Sequence, residues 1–235
     1  MQPATAKVTV VGAGYVGSTC AHLAALKNLA SEIVLIDVLG KRAEGIALDL
    51  NQSAAIEGFQ SRIVGTGDPE ATYDSDVFIV TAGRPRKPGM SRSDLLEVNG
   101  RIVCDVAESI RRGSPDAVVI VVTNPLDSMV GLMRAKLGFP AQRVIGMAGV
   151  LDSARFSWFL AEATGAAVQD VDAMVLGAHG DSMVPMPRYC TVNGVAAGDL
   201  VHQDDMEAMV DRTRKGGAEI VKLLETGSAW YAPAS

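Results

Sequence analysis

The chain has 235 residues, 48% of them hydrophobic and 20% charged, enough apolar material for the core of one large domain or two small ones. Its 27 acidic against 21 basic residues give a net charge of −6, which argues against nucleic acid or anionic lipid as the main partner and favours a small molecule. Cys20, Cys104 and Cys190 have no metal-ligand or disulfide-framework spacing, and no apolar run approaches the ~20 residues of a membrane span. With the first strand pattern starting near Lys7, no room is left for a secretion signal, so a soluble, cytoplasmic protein is expected.

In chain order, short Val/Ile-rich runs at residues 7–11, 32–37, 62–65, 77–81, 117–123 and 143–146 alternate with helix-period segments. Continuous runs such as Val118-Val119-Ile120-Val121-Val122 mean strands covered on both faces, as in a parallel sheet flanked by helices. The predicted fold is α/β, a doubly wound parallel sheet. The pattern changes near Gly149, which predicts a doubly wound domain over 1–149 and an α+β domain over 150–235. The second domain is expected to hold a helix at 151–164, short strands around 171–176, a hairpin over 188–195 turning at Asn193-Gly194, and a long helix at 204–225.

The first run leads directly into Gly12-Ala13-Gly14-Tyr15-Val16-Gly17 and a helical pattern. The first glycine permits a tight turn, the second lets a pyrophosphate approach the backbone, and the third packs helix on strand. Phosphate would sit on the helix N-terminus, where free N–H groups favour an anion. A second strand ends in Asp37, twenty residues beyond Gly17, placed to accept hydrogen bonds from the adenosine ribose hydroxyls and to repel a 2′-phosphate. NAD is therefore expected rather than NADP.

Two further segments carry chemistry. Thr81-Ala82-Gly83-Arg84-Pro85-Arg86-Lys87-Pro88-Gly89-Met90-Ser91-Arg92 concentrates four cations in a Pro/Gly-rich loop, while Leu151-Asp152-Ser153-Ala154-Arg155 and Leu176-Gly177-Ala178-His179-Gly180 supply an acid, an arginine and a glycine-flanked histidine. Singly, the loop cations read as a solvated face and Asp152 with Arg155 as a surface i,i+3 pair. His22 and His202 read as bland. Together and in this order, the motifs closely resemble the lactate/malate dehydrogenase family, from about Lys7 to the last residue.

That resemblance implies hydride transfer between NAD and the C2 carbon of malate or oxaloacetate. By position, His179 matches the proton donor and acceptor at the C2 oxygen, a task suited to an imidazole that titrates near neutrality, and Asp152 matches the carboxylate on its far ring nitrogen. Arg155 matches the bidentate grip on the C1 carboxylate. Arg92 matches the arginine that polarises the C2 carbonyl, and Arg86 the residue that meets the distal group, which calls for a C4 dicarboxylate. Asn124, in Val122-Thr123-Asn124-Pro125, matches a substrate-binding amide; Val122, Thr123, Asn124 and Asn99 match cofactor contacts, and Ala229 a small pocket-lining residue.

The resemblance also implies a homo-oligomer, dimer or tetramer, through the helix bearing Phe156, Trp158, Phe159 and Leu160. Family chains run on past the length seen here, so the α+β substrate domain is expected to be incomplete, exposing Leu223, Leu224, Trp230 and Tyr231. A short-chain dehydrogenase is excluded because none of Tyr15, Tyr73, Tyr189 or Tyr231 has Lys four residues later. Lactate dehydrogenase activity and a non-catalytic NAD-binding fragment stay as alternatives; Arg86 speaks against the first.

Overall fold

Six short Val/Ile-rich strands pair side by side in the computed structural model, which describes residues 5–85 and 91–235. These are β1 (Lys7–Val11), β2 (Glu32–Ile36), β3 (Arg62–Thr66), β4 (Val77–Val80), β5 (Val118–Val121) and β6 (Val144–Gly146). All pairings are parallel, in the order β3-β2-β1-β4-β5-β6. Helices α1 (Tyr15–Leu26), α2 (Gly40–Glu57), α3 (Arg92–Gly113) and α4 (Leu126–Leu137) connect them. The apolar runs are covered on both faces as expected: Val10, Ile33, Leu35, Val80, Val119 and Val121 are fully buried, each contributing ~1.5–3 kcal/mol relative to exposure.

From β1 the chain winds outward through β2 to β3, then returns to the other side of β1 at β4. Connections therefore leave β1 and β4 in opposite directions, and a crevice opens at the carboxyl ends of those two strands. β5 stops at Val121 rather than continuing to residue 123, because Thr123 turns its hydroxyl onto Val80 O (3.1 Å) and Ala82 O (2.8 Å). A side chain that bonds neighbouring backbone in this way competes with the ladder.

The chain forms two compact units, Met1–Gly146 together with Trp230–Ser235, and Met147–Ala229. Residues 230–235, expected with the second domain, thus pack with the first, where Trp230 stacks on Tyr15 with ring centroids 5.0 Å apart. Trp230 is half-buried by that contact, while Leu223, Leu224 and Tyr231 are exposed.

The second unit opens with α5 (Gly149–Thr164), followed by β7 (Val171–Asp172), β8 (Val175–Gly177), β9 (Met183–Pro185), β10 (Thr191–Val192), β11 (Val195–Ala196), the single turn α6 (Ala197–Leu200) and α7 (Gln203–Leu224). Phe156, Leu160, Val175, Met183, Cys190, Val192, Met206 and Met209 meet in its core. The hairpin turns at Asn193 (φ 51°) and Gly194 (φ 78°) as the sequence predicts, the pairing of positive φ values that two-residue hairpins use. It is shorter than expected, since residues 187–189 form a 3-10 turn opened by Pro187. The β8–β9 hairpin was not expected; β9 is only three residues and ends in proline.

Candidate active site

Each unit carries its own group of the expected residues. In the first, β1 ends at a turn that only glycine fills. Gly12 has φ +105°, and a Cβ there would stand 2.9 Å from Ala82 N and Thr81 Oγ1. A Cβ on Gly17 would fall 1.8 Å from Gly12 O, so α1 sits against β1 only without one. Gly14 differs, because a Cβ on it would meet nothing within 4 Å. It is the exposed N-cap of α1 and offers no side-chain hydrogen bond, so the start of the helix is left uncapped by any side chain, as a bound phosphate would require.

Asp37 follows β2 and is held by two backbone donors: Ala13 N to Oδ2 (2.7 Å) and Leu39 N to Oδ1 (2.9 Å). It thereby pins the glycine turn to the end of β2, and each oxygen keeps a lone pair for a further donor such as a ribose hydroxyl. Ala13 is buried, Val16 half-buried and Tyr15 exposed. The open helix N-terminus, the missing Cβ and the fixed carboxylate fit a dinucleotide.

At the ends of β4 and β5, Asn99 does something its sequence position did not reveal. Reaching in from α3 at 2% exposure, its Oδ1 accepts Arg84 N (2.8 Å) while its Nδ2 donates to Arg84 O (3.2 Å) and Asn124 O (2.7 Å). Both amide hydrogens are used inside the protein, so Asn99 ties two loops together, whereas Asn124 itself is exposed. Val122 is half-buried, Thr123 buried. Arg86 lies outside the described residues. Arg92 is the first residue of α3, set there by a reciprocal cap in which Asp94 N donates to Ser91 Oγ (3.0 Å) and Ser91 N to Asp94 Oδ2 (2.9 Å). These bonds hold the Asp94 carboxyl below its ordinary pKa. The Ser-x-x-acid spacing is a sequence signal that was available for this helix start.

In the second unit, α5 brings Asp152 and Arg155 onto one face, and β8 delivers His179. Asp152 is 2% exposed and uses both oxygens: Oδ2 accepts from His179 Nδ1 (2.8 Å) and Oδ1 from Arg155 Nη1 (3.2 Å). Because a carboxylate only accepts, the imidazole carries its proton on Nδ1. Burial draws the Arg155 guanidinium below its ordinary pKa, and the charge and hydrogen bond of Asp152 oppose that. Ser153, which sequence reasoning passed over, accepts Val175 N on Oγ at 3.0 Å. It fastens β8, and with it the turn that holds His179, onto α5.

Comparison with known proteins matches both parts of the chain to one family. Residues 6–146 match the family model described as lactate/malate dehydrogenase, NAD binding domain, and residues 149–235 match lactate/malate dehydrogenase, alpha/beta C-terminal domain. The chain belongs to the lactate/malate dehydrogenase family. It is an NAD-dependent oxidoreductase, as its relatives in that family are. A malate dehydrogenase of Rhodopirellula baltica is 55% identical over 234 residues, covering 98% of this chain and 73% of the relative. Among solved structures, malate dehydrogenase from Salinibacter ruber matches with a TM-score of 0.92 at 48% identity, over 97% of this chain and 72% of that one. The lactate dehydrogenase of Cryptosporidium parvum, complexed with lactic acid and nicotinamide adenine dinucleotide, matches with a TM-score of 0.93 at 40% identity, over 98% of this chain and 74% of that one. The fold of this family is thus shared by members named for either substrate, so substrate choice lies in side chains.

Proposed function

We propose that this chain is a malate dehydrogenase that interconverts malate and oxaloacetate, with His179, Asp152 and Arg92 as its catalytic residues. The observation that supports the site most is the buried carboxylate of Asp152, shared between an imidazole and a guanidinium. When bound, NAD supplies or takes up the hydride at C2. His179 Nε2 gives a proton to the C2 oxygen as oxaloacetate is reduced and removes it as malate is oxidised, while Asp152 holds Nδ1–H and steadies the imidazolium. Arg155 grips the C1 carboxylate, and Arg92 stabilises negative charge on the C2 oxygen. Asn124 binds substrate from the end of β5. Gly12, Ala13, Gly14, Tyr15, Val16, Gly17, Asp37, Val122 and Thr123 hold the cofactor, with Asn99 keeping the loops around them in place.

Arg86 selects the C4 dicarboxylate by pairing with the carboxylate that pyruvate lacks. Leaving one partner of a desolvated charge pair unmatched costs ~2–5 kcal/mol, so kcat/KM should favour oxaloacetate over pyruvate by at least ~30-fold. The test is kcat/KM for both keto acids with NADH, in the parent and in Arg86→Gln. The variant should lose a similar factor on oxaloacetate and gain on pyruvate; an unchanged ratio would assign substrate choice elsewhere. A homodimer or homotetramer is also proposed, on the exposure of Val150 and Trp158 along α5, as is a cytoplasmic place in the tricarboxylic acid cycle. Among the described residues no helix is long and apolar enough to cross a membrane.

A further inference from the structure

The buried face of α7 is formed by Met206, Met209, Thr213 and Gly216, a stripe at helical spacing. The first three carry side chains into the unit and the fourth carries none. Gly216 and Gly217 stand together inside the helix, where each glycine is less stable than alanine by roughly 1 kcal/mol. Neither has the positive φ that would require glycine. What crosses the helix there is Arg155. A Cβ on Gly216 would lie 3.1 Å from its Cδ, 3.5 Å from Nε and 4.0 Å from Cγ, whereas a Cβ on Gly217 would make only an ordinary contact, 3.8 Å from Nη2. The Arg155 Nε is buried and has no hydrogen-bond partner among the described residues.

We infer that Gly216 is a positioning residue for Arg155: its missing side chain opens a slot in which the arginine stem lies against the backbone of α7, and this fixes where the guanidinium presents its donors. The inference rests on the reading of Arg155 as the grip on the substrate carboxylate. Helix propensity favours alanine at residue 216 and the apolar stripe favours a methionine-like side chain, so a bare backbone there answers to the arginine. The guanidinium end is held by the Asp152 bond to Nη1 (3.2 Å). A Cβ that pushes Cδ away therefore turns the guanidinium about that anchor.

The full-length protein and its Gly216→Ala, Gly216→Leu, Gly217→Ala and Arg155→Gln variants are compared by steady-state kinetics with oxaloacetate and NADH, by NADH titration and by Tm. Since a displacement of about 1 Å in a positioning group costs up to ~10², KM for oxaloacetate should rise roughly 5- to 10-fold in Gly216→Ala and ~10²-fold in Gly216→Leu. In Gly216→Ala kcat should stay within about twofold, and NADH affinity should be unchanged in both. Gly217→Ala should keep the parental KM. A packing role alone would lower Tm and leave KM in place, and that result in Gly216→Ala overturns the inference. If Arg155→Gln raises KM and neither Gly216 variant does, the inference fails and the reading of Arg155 stands. If Arg155→Gln itself keeps the parental KM, both fall.

Discussion

Replacing Asp152 by Asn tests the shared carboxylate by changing one atom. Asparagine keeps the volume, so the buried position stays filled, but it has one acceptor oxygen where the two partners of Asp152 need two. Arg155 is permanently charged and is the stronger competitor, so the carbonyl oxygen turns to it and the NH2 faces the imidazole. Nδ1 must then accept, and the ring proton moves to Nε2. That tautomer has no lone pair for the hydroxyl proton of malate. A misassigned tautomer of this kind in a catalytic acid–imidazole pair lowers kcat by about 10⁴, so a loss of ~10³–10⁴, or about 4–5.5 kcal/mol, is expected. Stability should fall less, by about 1–3 kcal/mol for one weakened bond to a charged group, which is roughly 2–4 °C of Tm per kcal/mol at this size. The assay is NADH formation at saturating malate and NAD, with NADH binding followed separately by fluorescence and expected to be unchanged. A folded Asp152→Asn protein with kcat within tenfold of the parent would refute the tautomer account.

Asp37 should set cofactor choice: the parent is expected to favour NADH over NADPH by at least ~10-fold in kcat/KM, equivalent to about 1.4 kcal/mol, and Asp37→Ser should narrow that ratio while weakening NADH, because Ala13 N and Leu39 N lose their acceptor. Equal efficiency with the two cofactors in the parent would remove Asp37 from that role. Burial raises the Cys20 thiol from 9.0 to about 11, so stability is fully retained below pH 9 and falls between pH 9 and 11, where the unfolded chain but not the folded one has released its proton. The loss is ~3 kcal/mol, read as a steeper alkaline fall of Tm in the parent than in Cys20→Ala; parallel curves would show that Cys20 does not contribute to it.

What the sequence made legible was whatever depends on neighbours along the chain. The glycine turn, the acid ending β2 and the Asp152–Arg155 spacing are local patterns, and so was the Asn193-Gly194 turn. The features that escaped depend on which distant backbones meet. Asn99 reads only as a cofactor contact, by resemblance, and its tie between two loops emerges once α3 places it against the ends of β4 and β5. Ser153 is an ordinary helical serine until β8 runs beside it, and Gly216 looks like a weak point in α7 until the arginine stem is seen crossing it. The extent of β5 was overestimated for a related reason, since nothing local shows that the Thr123 hydroxyl will turn back onto Val80 and Ala82.

The amide of Asn99 also bears on how this molecule ages. It is followed by Gly100, and an asparagine before a glycine is the pair most prone to lose its side-chain nitrogen, by attack of the next backbone nitrogen on the amide carbon. Here the attacking nitrogen lies well inside α3 and is committed to the helical ladder, while the nitrogen that would leave is held by two carbonyls. Local fraying of α3 would release both restraints at once. The aspartate so formed would set a carboxylate against Arg84 O and Asn124 O, turning two attractions into repulsions. The rate of that loss at Asn99 is thus tied to how often one turn of α3 opens.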